Sequence, residues 1–186
     1  NTLGQVVQQK SPDGGISKFW YDYLGRLVVS QNAQQALDGK YSYTLYDELG
    51  RIKEVGQKPQ GTAMTQTISR NAGSENVTGT LANWINGTGT ANKEQITRTV
   101  YDKSYFDGDD LLAPEKLVQR NLRNRVSYTQ VFDTEPTPPL GGAGGGLGTH
   151  RAATYYSYDI HGNVDTLLQD YGSSSYYPNA MNQAGN

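Results

Sequence analysis

The chain of 186 residues has a formal net charge of −2 and contains 22 glycines and 14 tyrosines, but only 3 phenylalanines and 2 tryptophans. This charge offers no strong field for nucleic acid or an anionic membrane, and the absence of cysteine excludes disulfides, thiolate catalysis and cysteine metal sites. The length suits one domain with one sizeable core, and the abundance of tyrosine and glycine favours strands and turns over helices. No run of about 18 apolar residues occurs, so we expect no membrane span.

The first recurring feature is the phrase YDYLGR at residues 21–26. Asp22 suits the first position of a type I turn, where its carboxylate can accept a backbone N–H two residues on. Gly25 suits the fourth position, where a left-handed conformation closes a hairpin. The same phrase recurs as YDELGR at 46–51, as YDIHGN at 158–163 and, truncated, as NTLG at 1–4. Each copy predicts a hairpin turn flanked by strands.

The residues around these turns alternate as strands do. Tyr41, Tyr43 and Leu45 would share one face of the strand that enters the second turn. Return turns are predicted at PDGG, residues 12–15, and at LDGK, residues 37–40. The pattern therefore predicts an all-β fold, an antiparallel strip of hairpins that runs as a continuous meander through residues 1–56.

A further copy of the phrase is less obvious. In NLRNR, residues 121–125, Asn121 aligns with Asp22 and Asn124 with Gly25, and asparagine is the next-best occupant of a left-handed position. Residues 116–119 would then form the strand that enters the turn. Tyr101 and Asp102 begin the phrase once more without its glycine, and we interpret them as a degenerate copy that turns at DGDD, residues 107–110.

Two segments interrupt the repeat within the single domain, residues 1–186. Residues 57–94 are predicted as a polar insertion with one short helix, which Thr80 caps and Gly87 ends, and Trp84 would anchor the insertion to the sheet. Residues 134–149 are rich in proline and glycine and predict an exposed loop.

The residues of the phrase are the candidate site, and we expect structural roles for them. They are Tyr21, Asp22, Gly25, Arg26, Tyr46, Asp47, Gly50, Arg51, Asn121, Asn124, Tyr158, Asp159 and Gly162. The aspartates are interpreted as turn caps, because each opens a turn. The arginines are expected to lie over tyrosine faces or to pair with a carboxylate. We predict no catalytic residue, no cofactor and no metal site, since the two histidines lack a Ser/Asp pattern and DGDD lacks calcium-loop spacing.

Two patterns leave alternatives open. The tyrosines would pack between strands or, alternatively, form a platform for sugar rings, with Tyr41, Tyr43 and Tyr155 exposing their faces. NVT at residues 76–78 and NGT at residues 86–88 fit the acceptor pattern for N-linked glycosylation, which matters only in a eukaryotic secretory pathway.

The Tyr-Asp-x-x-Gly-Arg phrase at hairpin spacing resembles the signature of Rhs proteins, also called YD-repeat proteins. Residues 21–26 and 46–51 match in full, residues 158–162 match with Asn163 in place of arginine, and residues 1–4 match in truncated form. The resemblance implies a hairpin strip that spirals into a hollow shell, in bacterial relatives around a C-terminal toxin domain. Because the chain opens within a repeat, we expect it to be an excised piece of something longer.

The resemblance also implies a function. It suggests a non-enzymatic wall segment of a larger, secreted or cell-surface bacterial protein. The partners would be neighbouring repeats of the same parent chain and the enclosed toxin domain, with no nucleic acid and no membrane span. The alternative is a cell-surface carbohydrate-binding or adhesion module, whose partners would be glycans.

Overall fold

The computed structural model describes residues 3–87, 93–105, 118–135 and 151–171. These residues are mostly an antiparallel β-sheet of nine strands with three short helices. The strands are β1 (Gln8–Ser11), β2 (Gly15–Tyr21), β3 (Leu27–Gln31), β4 (Lys40–Tyr46), β5 (Ile52–Pro59), β6 (Glu94–Tyr101), β7 (Val126–Thr134), β8 (Ala152–Tyr158) and β9 (Val164–Asp170). The helices are α1 (Ala33–Leu37), α2 (Gln66–Arg70) and α3 (Leu81–Asn86). The predicted all-β antiparallel fold is confirmed.

The chain divides into two compact units, Asn1–Glu94 and Gln95–Asn186. In the first unit, β1 to β5 pair antiparallel in chain order. The YD turns close the hairpins β2–β3 and β4–β5, and in both the register shifts at the tyrosine of the phrase. Gly25 and Gly50 have φ of +81° and +82°, as predicted. A shifted register beside a left-handed glycine is a β-bulge, which increases the local twist of the hairpin.

The antiparallel meander predicted for residues 1–56 is confirmed in its strand order, but the prediction of its return between β3 and β4 was wrong. The return between β3 and β4 contains α1, where a simple turn was expected. Asn32 caps α1 through a capping box, because its side chain accepts the Gln35 N–H at 2.8 Å while Gln35 Oε1 accepts the Asn32 N–H at 3.0 Å. The signal was present in the sequence as Asn-x-x-Gln. It was missed because the residues around Gly39 already predicted a turn for this connection.

The insertion of the first unit supplies part of its core. The prediction of a single helix was wrong, since α2 and α3 both lie in this segment, and β5 continues to Pro59, past the predicted start at residue 57. Thr80 caps α3 and Gly87 ends it, as predicted. Trp84 is 4% exposed and meets Tyr41 edge to face at 5.2 Å between ring centroids. The predicted anchoring of the insertion by Trp84 is therefore confirmed.

A continuous cluster forms the core of the first unit. It consists of Val28, Val29, Tyr41, Tyr43, Met64, Trp84 and Ile85. Burial of such side chains contributes about 1.5–3 kcal/mol each, so the insertion adds substantially to the stability of this hairpin sheet.

In the second unit, β6 to β9 follow chain order, and β7–β8 and β8–β9 pair antiparallel. The register of β8–β9 shifts at Tyr158, and Gly162 has φ of +94°, so this YD turn has the same bulge as the other two. β7 extends to Thr134, the first residue of the predicted exposed loop. Residues 136–149 of that loop and DGDD at 107–110 lie outside the described residues.

Candidate functional site

Each YD turn is closed by its aspartate. In the first turn, Oδ1 of Asp22 accepts hydrogen bonds from the backbone N–H groups of Leu24 at 3.0 Å and Arg26 at 2.8 Å. Oδ2 accepts from Arg26 Nε at 2.8 Å and forms an ion pair with the same guanidinium at 2.7 Å. The Asp22 backbone N–H donates to the Arg26 carbonyl at 2.9 Å. Both carboxylate oxygens are thus engaged within the turn.

The turns at Asp47 and Asp159 repeat this geometry. Oδ1 of Asp47 accepts two backbone N–H groups, at 3.0 and 2.8 Å, and its Oδ2 accepts from Arg51 Nε at 2.7 Å. Oδ1 of Asp159 accepts the N–H groups of His161 at 2.8 Å and Asn163 at 2.9 Å, and its Oδ2 accepts from Asn163 Nδ2 at 3.0 Å. Asn163 therefore replaces the arginine of the phrase as a donor without replacing its charge.

These hydrogen bonds keep the carboxylates of Asp47 and Asp159 ionised. Burial raises the pKa of Asp47, but hydrogen bonds from the side chain and backbone of Arg51 outweigh it, so the pKa lies below its usual value. Hydrogen bonds from the side chain and backbone of Asn163 likewise lower the pKa of Asp159. A carboxylate with a lowered pKa is a poor proton acceptor near neutral pH. The geometry thus agrees with the predicted role of turn cap.

The tyrosine of each phrase connects its turn to the preceding hairpin. The hydroxyl of Tyr46 donates to the Leu27 carbonyl at 2.8 Å, and that of Tyr158 donates to the Val126 carbonyl at 2.9 Å. Tyr21 makes the same bond to the Val6 carbonyl at 2.8 Å. Each acceptor lies two residues after the glycine position of the preceding turn. Burial raises the pKa of both Tyr46 and Tyr158, which keeps these hydroxyls protonated as donors.

The residue after the glycine reaches forward to the next turn. The guanidinium of Arg26 lies 4.5 Å from the ring centroid of Tyr46, and that of Arg125 lies 5.4 Å from the ring centroid of Tyr158. Gln5, in the truncated copy, donates from Nε2 to the Gly25 carbonyl at 3.2 Å. The predicted placement of an arginine over a tyrosine face is confirmed for Arg26.

The glycine of the receiving turn leaves room for this side chain. A Cβ at Gly25 would lie 3.1 Å from Gln5 Nε2, and one at Gly162 would lie 2.6 Å from Arg125 Nη2. At Gly50 the nearest atom, Arg26 Nη1, would be 3.6 Å away, an ordinary contact. At Gly25 and Gly162 the glycine thus has two functions, a left-handed backbone and space for a side chain of the neighbouring turn. Only the first was predicted, because the second depends on residues about one hairpin away in the chain.

Tyr101 with Asp102 and residues 121–125 were predicted to be two separate copies of the phrase, but they form a single turn. The Asp102 N–H donates to the Arg125 carbonyl at 3.2 Å, as Asp22 does to Arg26, and Asp102 Oδ1 accepts the Asn124 N–H at 2.5 Å. Asp102 therefore fills the position assigned to Asn121, and that part of the alignment was wrong. Asn124 has φ of +59°, which confirms it as the left-handed residue of the turn.

The segment before Asn121 is not the predicted entering strand. Residues 118–120 have no strand conformation, and residues 116–117 lie outside the described part of the chain. The segment instead bonds along β8, where Gln119 Nε2 donates to the Tyr156 carbonyl at 3.0 Å and Asn121 Nδ2 to the Tyr158 carbonyl at 2.8 Å. Asn121 itself has φ of +53°. Its amide therefore fixes the inserted chain to the sheet rather than capping the turn.

A buried polar cluster in the first unit had no signal in the sequence. Lys58 is fully buried, and its Nζ donates to the carbonyls of Trp84 at 2.7 Å and Ile85 at 2.9 Å. Burial, with a smaller effect of nearby Lys93, lowers the pKa of Lys58 to about 8. Glu54 accepts from Lys93 Nζ at 2.8 Å. Because the ammonium is enclosed and bonded to the last turn of α3, it fastens the insertion to the sheet and offers no surface to a substrate.

The tyrosines proposed as a sugar platform are not exposed. Tyr41 is 7% exposed, and Tyr43 and Tyr155 are each 1% exposed. Tyr155 packs instead in a ring cluster with Tyr105 and Tyr128, at centroid distances of 4.8 and 5.8 Å. These side chains therefore act in packing between strands, the first of the two predicted roles.

No protein-family model matches the chain, and no curated protein sequence matches it significantly. In the part of the chain that the structure describes, no group of three His, Cys, Asp or Glu side chains is placed to hold a metal ion. None of the described helices has the length and apolar character needed to cross a bilayer.

Proposed function

We propose that the chain is a wall segment of an Rhs/YD-repeat shell, which encloses a C-terminal toxin or cargo domain in a larger secreted or cell-surface bacterial protein. One observation carries the proposal. The same pair of turn-to-turn contacts, a tyrosine hydroxyl reaching back and an arginine reaching forward, occurs in both units, at Tyr46 with Arg26 and at Tyr158 with Arg125.

Contacts that recur between neighbouring hairpins are what an extended repeat array requires. A single hairpin is marginally stable, and stacking it on neighbours buries its faces and pairs its edges. Adjacent strands in a sheet are rotated by about 20–25°, so a long strip of hairpins must curl. Side chains that fasten each turn to the next hold one rim of such a strip at a constant spacing. Neighbouring repeats of the parent chain and the enclosed domain are the partners that follow from this proposal.

The state of the polar residues favours a wall over an enzyme. Glycoside hydrolysis, for example, needs two carboxyl groups facing each other across a cleft, roughly 5–9.5 Å apart. The carboxylates of Asp22 and Asp47 are instead saturated by hydrogen bonds inside their own turns. The burial of Tyr41, Tyr43 and Tyr155 likewise removes the ring faces that the carbohydrate-binding alternative would use.

Cryo-electron microscopy of the longest natural protein that contains this sequence tests the proposal. We expect a hollow particle with this segment in its wall and with density for a separate domain inside. Limited proteolysis of the same sample should leave that domain intact. A solid particle, or one in which this segment lies apart from any enclosing layer, would overturn the proposal.

A matched pair of variants makes the proteolysis specific. The double variant Arg26→Ala with Arg125→Ala removes both guanidinium contacts, and we expect it to speed digestion of the enclosed domain. Lys53→Ala removes an exposed charge from β5 and serves as the control, with digestion as slow as in the wild type. Equal digestion of the domain in the wild type and the double variant would contradict the role of the turn contacts. Saturable binding on a glycan array would favour the adhesion module instead.

A further inference from the structure

We propose that the chain forms a weak two-fold dimer through a row of exposed leucines on one rim of the first unit. The row consists of Leu3, Leu24 and Leu49, with Tyr23 beside Leu24, and we call it the leucine rim. Each of these leucines stands directly before the left-handed glycine of a YD turn. The inference does not use the wall function, so either proposal can fail without the other.

All four side chains of the leucine rim are exposed. Leu3, Leu24 and Leu49 are 64%, 61% and 70% exposed, and Tyr23 is 65% exposed. The central positions of a type I turn accept most residues, so the turn itself does not require a leucine. Packing within the unit does not require one either, because most of each side chain lies outside the core. An apolar residue at the same exposed position of three turns therefore indicates a contact with something outside the fold.

The turns hold these leucines in a regular line. β1 to β5 pair antiparallel in chain order, so the turns that precede β1, β3 and β5 lie at the same end of the sheet. Neighbouring YD turns are two strands apart, which places successive leucines about 10 Å from one another. The backbone N–H groups of Leu24 and Leu49 donate to Oδ1 of Asp22 and of Asp47, each at 3.0 Å. Because the same bond fixes both leucines, their side chains project from their turns in the same way.

The leucine rim has about the apolar area that an interface between two proteins uses. A side chain of this size offers roughly 100 Å² of apolar surface, so the four together offer roughly 400 Å². A standard interface covers about 800 Å² on each partner, of which about 57% is apolar, or roughly 450 Å². The rim is therefore large enough for one half of a small interface, and it is continuous, unlike the single apolar residues that any surface carries.

A second copy of the chain is the occupant that fits this row. The gaps of about 10 Å between successive leucines can each receive one apolar side chain, and the leucine rim of another copy supplies such side chains at the same spacing. A two-fold axis at the middle turn brings Leu24 of one copy beside Leu24 of the other, and Leu3 beside Leu49. Such an interface uses the same surface on both copies, which is the commonest arrangement among oligomers.

The charges of the rim favour a second copy over a strongly charged partner. Two ion pairs, each at 2.7 Å, cancel four of these charges within their own turns: Asp22 with Arg26, and Asp47 with Arg51. Among the described residues of the three turns, Glu48 is the exposed charge that remains. The two-fold axis places Glu48 against the first turn of the other copy, where the chain has the uncharged Gln5. Two Glu48 carboxylates therefore do not meet across the interface.

Analytical ultracentrifugation of the chain, from about 1 to 500 µM, tests the proposal. We expect a reversible equilibrium between monomer and dimer with a Kd of the order of 10 µM, the weak end for interfaces of this size. Leu24→Asn combined with Leu49→Asn should raise the Kd by about a hundredfold or more, because four leucines leave each dimer. Leu37→Asn is the matched control, since Leu37 is 82% exposed but lies on α1, at the other end of the sheet. Its dimer should be as stable as that of the wild type.

Three results would overturn the proposal. They are a wild type that is monomeric at every concentration, a dimer that survives the double variant, and a dimer that Leu37→Asn weakens equally. A monomeric wild type would leave the leucine rim to another occupant, such as another part of the parent chain. Circular dichroism and the urea midpoint check the fold of each variant, and both should match the wild type because Asp22 and Asp47 bond backbone N–H groups at these positions.

Single cysteines test the two-fold arrangement separately. The chain contains no cysteine, so each variant has one thiol per copy. In air, Leu24→Cys should form a disulfide-linked dimer with itself, because the axis brings this position of both copies within reach of a disulfide. Leu3→Cys and Leu49→Cys should each cross-link slowly alone and readily when the two variants are mixed. Cross-linking of Leu37→Cys as fast as that of Leu24→Cys, or equal rates in the mixed and unmixed samples, would refute the two-fold dimer.

Discussion

Replacing Gly162 with alanine should destabilise the second unit by more than backbone strain alone. Gly162 has φ of +94°, and a left-handed conformation costs an alanine about 1–2 kcal/mol. The new Cβ would also lie 2.6 Å from Nη2 of Arg125 and 3.2 Å from its Cζ, so the guanidinium must move. That movement disturbs its position over the Tyr158 ring, which is worth about 0.5–1 kcal/mol at an exposed site. The expected total is therefore about 1.5–3 kcal/mol.

A double-mutant cycle separates the two contributions. Gly162→Ala, Arg125→Ala and the double variant are unfolded in urea and followed by circular dichroism. With Arg125 removed, Gly162→Ala should cost only its backbone strain, which gives a coupling of about 0.5–1 kcal/mol. Gly39→Ala is the control for strain, because Gly39 has φ of +64° and no atom within 4 Å of the added Cβ. Strict additivity of Gly162→Ala and Arg125→Ala would refute the second function of the glycine.

Four further outcomes follow from the structure. Tyr46→Phe and Tyr158→Phe should each destabilise the protein by about 1 kcal/mol in urea, through loss of a hydrogen bond to the preceding hairpin; Tyr23→Phe, at an exposed ring, should change nothing. Burial lowers the pKa of Lys58 from 10.5 to about 8. The unfolded state then binds more protons between those values, so stability should rise from about pH 8 to pH 9.5; a flat urea midpoint in the wild type, or the same rise in Lys58→Met, would contradict this. Asn124→Gly should leave the unfolding midpoint unchanged or slightly raised, because glycine adopts its left-handed conformation without strain, and a clear loss would reveal another role. Deletion of residues 103–121 should leave a folded chain about 1–3 kcal/mol less stable than the wild type, because it also removes the Tyr105 ring from its contacts with Tyr128 and Tyr155.

The local features of the fold could be predicted from the sequence because they depend on hydrogen bonds between residues close together in the chain. Asp22 and Gly25 determine their turn through hydrogen bonds that span at most four positions. The same holds for Thr80 and Gly87, which bound α3 through bonds to its own residues. Such signals need only the right residue types at the right spacing. The left-handed glycines, the strands around them and the helix in the insertion were predictable for this reason.

Apart from the placement of Arg26 over a tyrosine ring, the contacts that assemble the turns could not be predicted, because they join residues far apart in the chain. Tyr46 meets Leu27 across 19 positions, and Lys58 meets Trp84 across 26. No spacing rule within one hairpin specifies which carbonyl a tyrosine will reach in the next. The lysine is a stronger case, since charged side chains are almost never fully buried unless paired. Only the three-dimensional position of the end of α3 explains why its ammonium lies inside.

The turn formed by Asp102 and Arg125 explains why deleting residues 103–121 should be tolerated. In an uninterrupted turn the carboxylate and its last N–H donor are 4 positions apart, whereas Asp102 and Asn124 are 22 apart. Closing a loop of 22 positions instead of 4 costs about 1.5 kcal/mol more in lost chain entropy. The hydrogen bonds of Gln119 and Asn121 to β8 offset a similar amount.

The deletion removes both the entropy cost of the long loop and the hydrogen bonds of Gln119 and Asn121 to β8. It also joins Asp102 to LRNR, residues 122–125. The joined sequence YDLRNR has the spacing of YDYLGR, with Asn124 in the place of Gly25. Circular dichroism and urea unfolding of the deleted chain measure the balance, and Asp102→Ala in the same background provides the control. If the aspartate closes the turn in its shortened form, that substitution should cost about 0.5–1.5 kcal/mol, as loss of a typical hydrogen bond does. A deletion variant that fails to fold, or that is indifferent to Asp102→Ala, would show that the inserted residues, and not the phrase, hold β6 and β7 together.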